Sequence, residues 1–420
     1  MIGIVKQYKN LSLLLAFLSL LNVNLLPTGA VYVFFILFWV YFIFKTKKMS
    51  VPKDDQTHLF AAAVLLILFF INFFVSKYKL PFFLFLFAAF VTFIPFITFF
   101  ISDRLFFTTK DVIDFCDGHI KLALLISCIN LIETIVLPAA HISYSFLNSN
   151  VFMLGYSTSY MSICALLCFG NYYLTKRKKY IRFLAFLSIV IIASVQLKAI
   201  AGLLIVYFMY VMIFTKTSKL QKILLSAIGV GLAVFIISLS TTISGKISYY
   251  KELYGGESSH EDIARVALYY QSLKMAENCF PFGTGQGTFG SIPAKITRSQ
   301  VYEDYNLSGV WGLSFDGDLN FMMDTHWASV LGEQGFIGSV IYVFLLLIPL
   351  RRLKYVKKWP MRHRNYVYFV VLTCYICVFL ESIALPLINR LCFVFMYAGL
   401  CSVITNRKYF EYIMVEKNKI

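Results

Sequence analysis

A glycine-rich stretch is the part of this sequence whose residue types most directly suggest chemistry. Residues 280–291 read FPFGTGQGTFGS, and Gly283, Gly285 and Gly287 alternate with other residues much as glycines do in phosphate-binding loops. A dinucleotide-binding loop follows a strand and opens a helix, whereas an apparent helix precedes these glycines. A Walker loop ends in Gly-Lys-Ser/Thr, and the stretch contains no lysine. We therefore exclude nucleotide binding.

Two interpretations of these glycines remain open. Glycine adopts positive φ angles without strain, so the stretch can be a turn that reverses the chain at a membrane surface. Bare backbone also lets a bulky anionic or carbohydrate ligand approach closely. The two interpretations are compatible with each other.

The composition places the glycine-rich stretch in a membrane protein. The chain has 420 residues, of which 59% are hydrophobic and 14% charged, and its mean hydropathy is +0.75. Apolar residues form blocks of membrane-spanning length, such as HLFAAAVLLILFFINFFV at residues 58–75. A net charge of +17 would suggest nucleic acid as the partner of a soluble protein. Here the basic residues lie in short breaks between apolar blocks, as the positive-inside rule describes, so we expect no nucleic acid.

The apolar blocks predict about twelve transmembrane helices in an all-α integral membrane protein. Twelve spans place both termini in the cytoplasm, and five basic breaks then all fall on the cytoplasmic side. These breaks are KTKK after Phe44, TKRKKY after Leu174, TKTSKLQK after Phe214, RRLKYVKKWPMRHR after Leu350 and NRKYF after Thr405. The predicted spans lie near residues 10–26, 29–45, 59–76, 80–101, 120–139, 156–174, 182–197, 199–215, 222–240, 327–350, 366–386 and 390–405.

One outer loop is much longer than the others. We divide the chain into residues 1–240 with spans one to nine, residues 241–326 as the long loop with short helices, and residues 327–420 with spans ten to twelve and a cytoplasmic tail. A loop of this length usually carries function. It contains a predicted amphipathic helix over residues 260–279, which ends before Pro281. Its predicted apolar side carries Ile263, Val266, Ala267, Tyr270, Leu273 and Met275.

The nine cysteines do not have the spacing of metal ligands. Cys164 and Cys168 lie one helical turn apart in an apolar block, as do Cys374 and Cys377, and we interpret these pairs as packing residues. We expect no metal site and no disulfide in the long loop, where Cys279 stands alone.

Four motifs on the predicted outer side give the chain a resemblance to a known family. Lys198 lies in SVQLKAIAG, Arg265 precedes the turn PFGTGQGTF at residues 281–289, and residues 321–338 read FMMDTHWASVLGEQGFIG. In residue type, in order along the chain and in the predicted side of the membrane, these motifs resemble those of the O-antigen polymerase and O-antigen ligase superfamily. The motifs run from Lys198 to Gly338, and elsewhere the resemblance extends only to the arrangement of spans. Ligases carry a His-Asn pair ahead of the last motif, where this chain has Asp324 with His326 two residues further on, so polymerase is the closer match.

The resemblance implies a GT-C-like helical bundle with a large periplasmic loop in the bacterial inner membrane. It implies a polymerase that joins undecaprenyl-pyrophosphate-linked oligosaccharides, as donor and acceptor, into O-antigen or capsular polysaccharide at the periplasmic face. The implied enzyme uses no cofactor and no metal. Its expected partners are the lipid-linked donor and acceptor, membrane lipid and a chain-length regulator protein.

The resemblance also suggests a role for each candidate residue. Lys198, Arg265 and Arg298 are expected to bind the substrate diphosphate, because cationic side chains stabilise charge on the leaving group through charge-assisted hydrogen bonds. Asp324 and His326 are the candidate proton acceptors for the attacking hydroxyl. Two residues apart on a helix, they face different directions, so we expect only one to serve. The residues expected near the substrate are Gly283, Gly285, Gly287 and Glu333.

Structural interpretations of the same residues stay open. Lys198 can snorkel to the interface, His326 can be an interfacial histidine, and Glu333 can be a structural hydrogen-bond partner. Arg265 can pair with Glu261 or Asp262 on its own helix.

Two other functions also stay open. The first is an O-antigen ligase that transfers polysaccharide to lipid A-core. The second is a transporter of lipid-linked saccharides, which Glu133 and Glu381 favour because carboxylates within spans often mark proton paths. The concentration of candidate residues around one outer loop favours an enzyme.

Overall fold

The computed structural model describes residues 2–20, 56–102, 108–136, 157–194, 196–214, 264–315 and 321–405, together with a few isolated residues near these ranges. Every regular element in these ranges is helical, and they contain no strand. The predicted all-α class is therefore confirmed for this part of the chain.

Fifteen α-helices are described, with short 3₁₀ and π segments between some of them. The first seven are α1 (Ile2–Leu20), α2 (Gln56–Val75), α3 (Phe82–Ser102), α4 (Thr109–Val136), α5 (Ser157–Thr175), α6 (Lys179–Ala193) and α7 (Leu197–Phe214). The others are α8 (Ala264–Asn278), α9 (Ile292–Thr297), α10 (Val301–Asp304), α11 (His326–Leu347), α12 (Leu353–Val356), α13 (Met361–Val367), α14 (Thr373–Glu381) and α15 (Leu391–Thr405).

Four helical segments among the described residues are long and apolar enough to cross a membrane. They are Gln56–Val75, Phe82–Phe99, His326–Val356 and Met361–Glu381, while Lys198–Phe214 and Leu391–Ile404 are shorter apolar helices. These six segments coincide with six of the predicted spans, as expected of an α-helical membrane protein. The runs near residues 29–45 and 222–240 lie largely outside the described residues, so the count of twelve stays a prediction.

Helix α5 lies at the centre of one part of the bundle, packed against α4, α6 and α7. It is buried along most of its length, because small residues let neighbouring helices approach closely. Gly170 is an example, since a Cβ there would meet the side chain of Val370 at 2.6 Å. In another part of the bundle, α15 packs against α1 and α3.

The helix predicted in the long loop is present as α8, which packs along α11. The predicted buried face is partly wrong: Tyr270 and Leu273 are 44% and 47% exposed, whereas Leu268 and Gln271 are buried. Small residues on the buried face, such as Ala267, allow α8 to approach α11 closely. The apolar residues of α8 join a second hydrophobic core formed with Phe289, Tyr302, Leu313, Met322 and Ala328.

A break in α11 joins the glycine-rich stretch to the bundle. Gly335 has φ 62° and ψ −171°, which interrupts the helix and leaves the preceding carbonyls available to partners outside it. The N–H of Thr284 donates to the carbonyl of Gly332 at 2.9 Å, and the N–H of Gly285 donates to the carbonyl of Glu333 at 3.0 Å. The glycine-rich stretch therefore supplies donors where the helix is broken.

The end of α2 holds the same stretch from another side. The side-chain amide of Asn72 donates to the carbonyl of Phe282 at 2.6 Å, and the hydroxyl of Ser76 donates to the carbonyl of Thr284 at 2.5 Å. The stretch is therefore fixed between α2 and the broken helix α11.

Close packing explains the glycines in this contact. A Cβ on Gly335 would lie 2.5 Å from the carbonyl oxygen of Pro281 and 2.6 Å from the amide nitrogen of Gly283. A Cβ on Gly287 would lie 2.8 Å from that of Ala88. The stretch is thus a turn packed against helices, and its expected proximity to a substrate stays a prediction.

We expect Gly335→Ala to destabilise the protein. Its backbone conformation lies in a region essentially restricted to glycine, which costs other residues about 1–3 kcal/mol, and the added methyl would collide with the turn. The midpoint of thermal unfolding of the purified protein should fall. Gly309→Ala is the control, because a Cβ there meets nothing within 4 Å. Equal midpoints for the two variants would contradict the role of this break.

Candidate functional site

Several candidate residues meet at one end of the bundle. The N-terminal ends of α5, α7 and α11 lie there with the C-terminal end of α14, and α8 packs beside them. Backbone contacts hold this junction, since the N–H of His326 donates to the carbonyl of Ser382 at 3.3 Å. The hydroxyl of Tyr269 on α8 donates to the carbonyl of Ile383 at 2.8 Å.

Arg265 on α8 binds Asp324, which lies just before α11. The guanidinium Nη2 is 2.6 Å from the carboxylate Oδ2 of Asp324, and the two side chains are 35% and 20% exposed. The pair is a charge-assisted hydrogen bond at the edge of the junction. Glu261 and Asp262, the alternative partners predicted for Arg265, lie outside the described residues.

Lys198 is the second residue of α7 and is only partly exposed. The charges of Glu381, Arg265 and Asp324 all act on its ammonium, and that of Glu381 acts most strongly. Within the described residues its ammonium has no carboxylate within 4 Å and makes no hydrogen bond. The candidate cations Lys198 and Arg265 therefore share one electrostatic environment, and among the described residues Arg265 has an ion pair whereas Lys198 has none.

Glu381 is the last residue of α14 and is 5% exposed. Its carboxylate lies beside the hydroxyl of Ser159, but neither oxygen makes a hydrogen bond of good geometry within the described part of the chain. Gly202 on α7 provides the space for it, since a Cβ there would lie 2.9 Å from Oε1. A buried carboxylate without hydrogen bonds is costly, and such groups are frequent at functional sites.

His326 faces away from the charged residues, as its spacing from Asp324 predicts. Its Nε2 lies 3.2 Å from the hydroxyl of Tyr342, which in turn donates to Oδ1 of Asn389 at 3.0 Å. Because the hydroxyl of Tyr342 donates its hydrogen to Asn389, the Nε2–H of His326 donates to the tyrosine oxygen. Nδ1 of His326 therefore carries the lone pair. The ring is buried against Trp327 and Tyr342.

Glu333 binds the glycine-rich turn. Its Oε1 accepts the backbone N–H of Phe289 at 2.9 Å, and its side chain is buried. The structural interpretation of this residue is therefore supported by a specific contact. Gly283, Gly285 and Gly287 are buried in the same turn, with protein atoms against them.

Arg298 lies in a different place from Lys198 and Arg265. It follows α9 with φ 48° and lines a polar cleft with Lys77, Lys79 and Asp304. The ammonium of Lys77 lies 2.8 Å from the carboxylate of Asp304. Hydrogen bonds from Lys77 and Tyr78 hold the pKa of this carboxyl below its usual range.

The arrangement combines groups suited to transfer reactions. It brings together a cation without an ion pair in the described structure, an arginine that binds Asp324, and a buried carboxylate able to accept a proton. In the sequence Glu381 suggested a transporter proton path, and nothing there connected it with Lys198. A clue was the run of hydroxyl residues at the start of α5, where Ser159 lies.

Other predicted groups add little to this site. The side chain of Glu133 lies outside the described residues. Within the described ranges, no group of three His, Cys, Asp or Glu side chains could hold a metal ion. The cysteines in these ranges are free, and most are buried.

No family model matches the chain, and no curated protein matches its sequence.

We expect the partly buried pair Arg265–Asp324 to be energetically coupled. Unfolding of Arg265→Met, Asp324→Asn and the double variant should yield a coupling energy of about 0.5–3 kcal/mol, because each single change leaves one charge without its partner. The more exposed pair Lys77–Asp304, at 67% and 31% exposure, is the control and should give about 0.2–1 kcal/mol. A smaller coupling for Arg265–Asp324 than for the control would contradict this interpretation.

Proposed function

We propose that this protein is a polymerase that joins undecaprenyl-pyrophosphate-linked oligosaccharide repeat units into a surface polysaccharide, O-antigen or capsule. The reaction takes place at the periplasmic face of a bacterial inner membrane, with both termini in the cytoplasm. The observation that carries the proposal is that Lys198, which has no ion pair in the described structure, and the buried carboxylate of Glu381 lie at the same junction as the Arg265–Asp324 pair. The order of the family-like motifs, from Lys198 to Gly338, supports it.

The sidedness of the junction agrees with the predicted topology. The predicted spans that contain α5, α7 and α11 begin on the outer side, and the span that contains α14 ends there. These are the helix ends that meet in the described structure. This agreement supports a site at the face where a lipid-linked oligosaccharide is available after its transfer across the membrane.

In the proposed reaction, an acceptor hydroxyl oxygen attacks the anomeric carbon of the donor. The new glycosidic bond forms as the bond from that carbon to the diphosphate oxygen breaks, and undecaprenyl diphosphate leaves with the electron pair. Lys198 and Arg265 stabilise the charge that develops on the diphosphate. Asp324 positions the guanidinium of Arg265 through the hydrogen bond between them.

Glu381 accepts the proton of the attacking hydroxyl in this proposal. Asp324 and His326 are the proton acceptors that the sequence suggests, but Oδ2 of Asp324 binds Arg265 and the ring of His326 is turned toward Tyr342. Within the described residues Glu381 makes no hydrogen bond of good geometry, and its charge acts on the ammonium of Lys198. Arg298 lies in another cleft, so it is the least supported of the three proposed diphosphate ligands.

We expect Arg265→Ala to reduce polymer formation about 10²- to 10³-fold, because it removes a donor to the developing charge. The measurement is the chain-length distribution of the polysaccharide on gels, in a deletion strain that expresses each variant at equal protein level. Lys274→Ala is the control, since Lys274 lies on the same helix with its ammonium 4.2 Å from the ring of Tyr270.

The same strain separates the polymerase from the alternatives. Without the gene, lipopolysaccharide capped by a single repeat unit indicates a polymerase. Loss of all attached polysaccharide, with lipid-linked polymer accumulating, indicates a ligase. Unchanged long polymer in Arg265→Ala would refute the diphosphate role. Added ATP or divalent metal should leave the rate in purified assays unchanged.

We expect Glu381→Gln to reduce the rate of transfer about 10²- to 10⁴-fold, the usual contribution of a positioned proton acceptor. Gly202→Ala should also slow the reaction, because its Cβ would lie 2.9 Å from Oε1 and displace the carboxylate without removing it. The assay is elongation of lipid-linked repeat units in isolated membranes, with the exposed Glu277→Gln on α8 as control. Wild-type rates in Glu381→Gln, together with loss of activity in His326→Gln, would assign the proton acceptor to His326.

A further inference from the structure

A second polar region lies beside the charged residues, on the other side of one short segment. Met323, Thr325 and His326 line a cleft, whereas Asp324 between them binds Arg265. Residues of α3, α11, the glycine-rich turn and the segment before α15 complete the lining.

Three polar oxygens of the lining lack hydrogen-bond partners within the described structure. They are Oε1 of Gln286, Oε1 of Gln334 and Oγ1 of Thr325, and all three residues are at least nine-tenths buried. A buried acceptor left without a donor costs about 1–3 kcal/mol. Three such atoms around one cleft indicate that something other than the described protein supplies hydrogen bonds there.

The orientation of the Gln286 amide follows from its neighbour. The hydroxyl of Thr92 donates to the carbonyl of Ala88 at 3.1 Å, so it accepts the hydrogen bond from Nε2 of Gln286 at 2.8 Å. Oε1 of Gln286 is consequently the acceptor that remains available. A ligand for this cleft must therefore bring hydrogen-bond donors.

The remaining lining limits the chemistry of such a ligand. Glu333 uses its carboxylate on the backbone of Phe289, and among the described lining residues Arg390 is the one cationic side chain other than histidine. Phe87 and Val91 form an apolar wall, and the ring of Phe87 packs edge-on against that of Tyr32. Neutral amide and hydroxyl oxygens beside an apolar wall suit a saccharide, which combines hydroxyl donors with apolar C–H faces. A lipid chain would leave the three oxygens unsatisfied.

We propose that this cleft binds a saccharide unit of the substrate through Gln286, Gln334 and Thr325. The proposal rests on the proposed function, and it places the sugar on one side of the segment 323–326 with the diphosphate on the other. A lipid-linked saccharide held in this way presents its charged end to Lys198 and Arg265 while its sugar occupies the amide-lined cleft.

The test measures saccharide binding in the absence of any lipid diphosphate. The probe is the oligosaccharide released by mild acid from the host's own surface polysaccharide, with glycerol at equal hydroxyl concentration as control. Saturation-transfer NMR on the purified full chain should detect binding of the oligosaccharide and not of glycerol. Gln286→Met and Gln334→Met should each weaken binding about tenfold, the equivalent of one lost hydrogen bond of about 1.4 kcal/mol.

Two further variants test the proposal even if an amide variant does not fold. Val91→Phe fills the cleft from α3 without removing a polar group and should also weaken binding. Gln300→Met, an exposed glutamine on the protein surface, should leave binding unchanged. Absence of binding by the wild-type protein, or equal binding by Val91→Phe and the wild type, overturns the proposal.

The experiments distinguish failure of the saccharide site from failure of the polymerase proposal. If the cleft variants bind like the wild type while Arg265→Ala abolishes the polymer, the saccharide site is wrong and the polymerase proposal stands. If the cleft variants lose binding while Arg265→Ala leaves the polymer unchanged, the saccharide site stands and the diphosphate role of Arg265 is wrong.

Discussion

The break in α11 at Gly335 is the constraint on which the arrangement of the site depends. A helix that loses its regular hydrogen bonds in an apolar environment must find other partners for its backbone groups. The turn at residues 281–289 supplies them through the N–H groups of Thr284 and Gly285, and α2 holds the turn in place. Since α8 leads into this turn and Asp324 precedes α11, the same contact sets the distance between Arg265 and Asp324.

Burial of the charged residues at the junction costs free energy, and packing alone does not explain why they are there. Lys198 and Glu381 act on each other electrostatically, but Glu381 is buried without good hydrogen bonds and Lys198 has no ion pair in the described ranges. Stability alone would favour a direct pair or apolar residues in both positions. In the proposed reaction, an anionic leaving group and a hydroxyl proton would complete the interactions of the two groups.

A second consequence of the fold is that neighbouring residues at the start of α11 face different parts of the site. Around the start of α11, Asp324 faces the charged residues, while Thr325 and His326 line the amide-rich cleft. An extended segment that enters a helix directs successive side chains to different sides, so one short segment can contact two parts of a substrate. The proposed separation of diphosphate and saccharide follows from this geometry.

The sequence by itself determined the features that depend on composition and order along the chain. Apolar blocks identified the α-helical membrane class and the six apolar segments seen in the structure, because the length of a span is set by the thickness of the bilayer. The glycines pointed to a tight turn, and the spacing of Asp324 and His326 indicated that they face different directions. Neither result required knowledge of which helices are neighbours.

Only the tertiary structure decided which distant residues meet. It brought Glu381 to Lys198, separated Arg298 from Lys198 and Arg265, and turned α8 so that Leu268 and Gln271 are buried in place of Tyr270 and Leu273. For Lys198 and Glu381 the physical reason is that all faces of membrane-embedded helices are apolar, so hydropathy does not indicate which face packs against which neighbour. Close contacts such as those of Gly202 with Glu381 and Gly335 with the turn select the neighbours, and they appear only once the helices are packed.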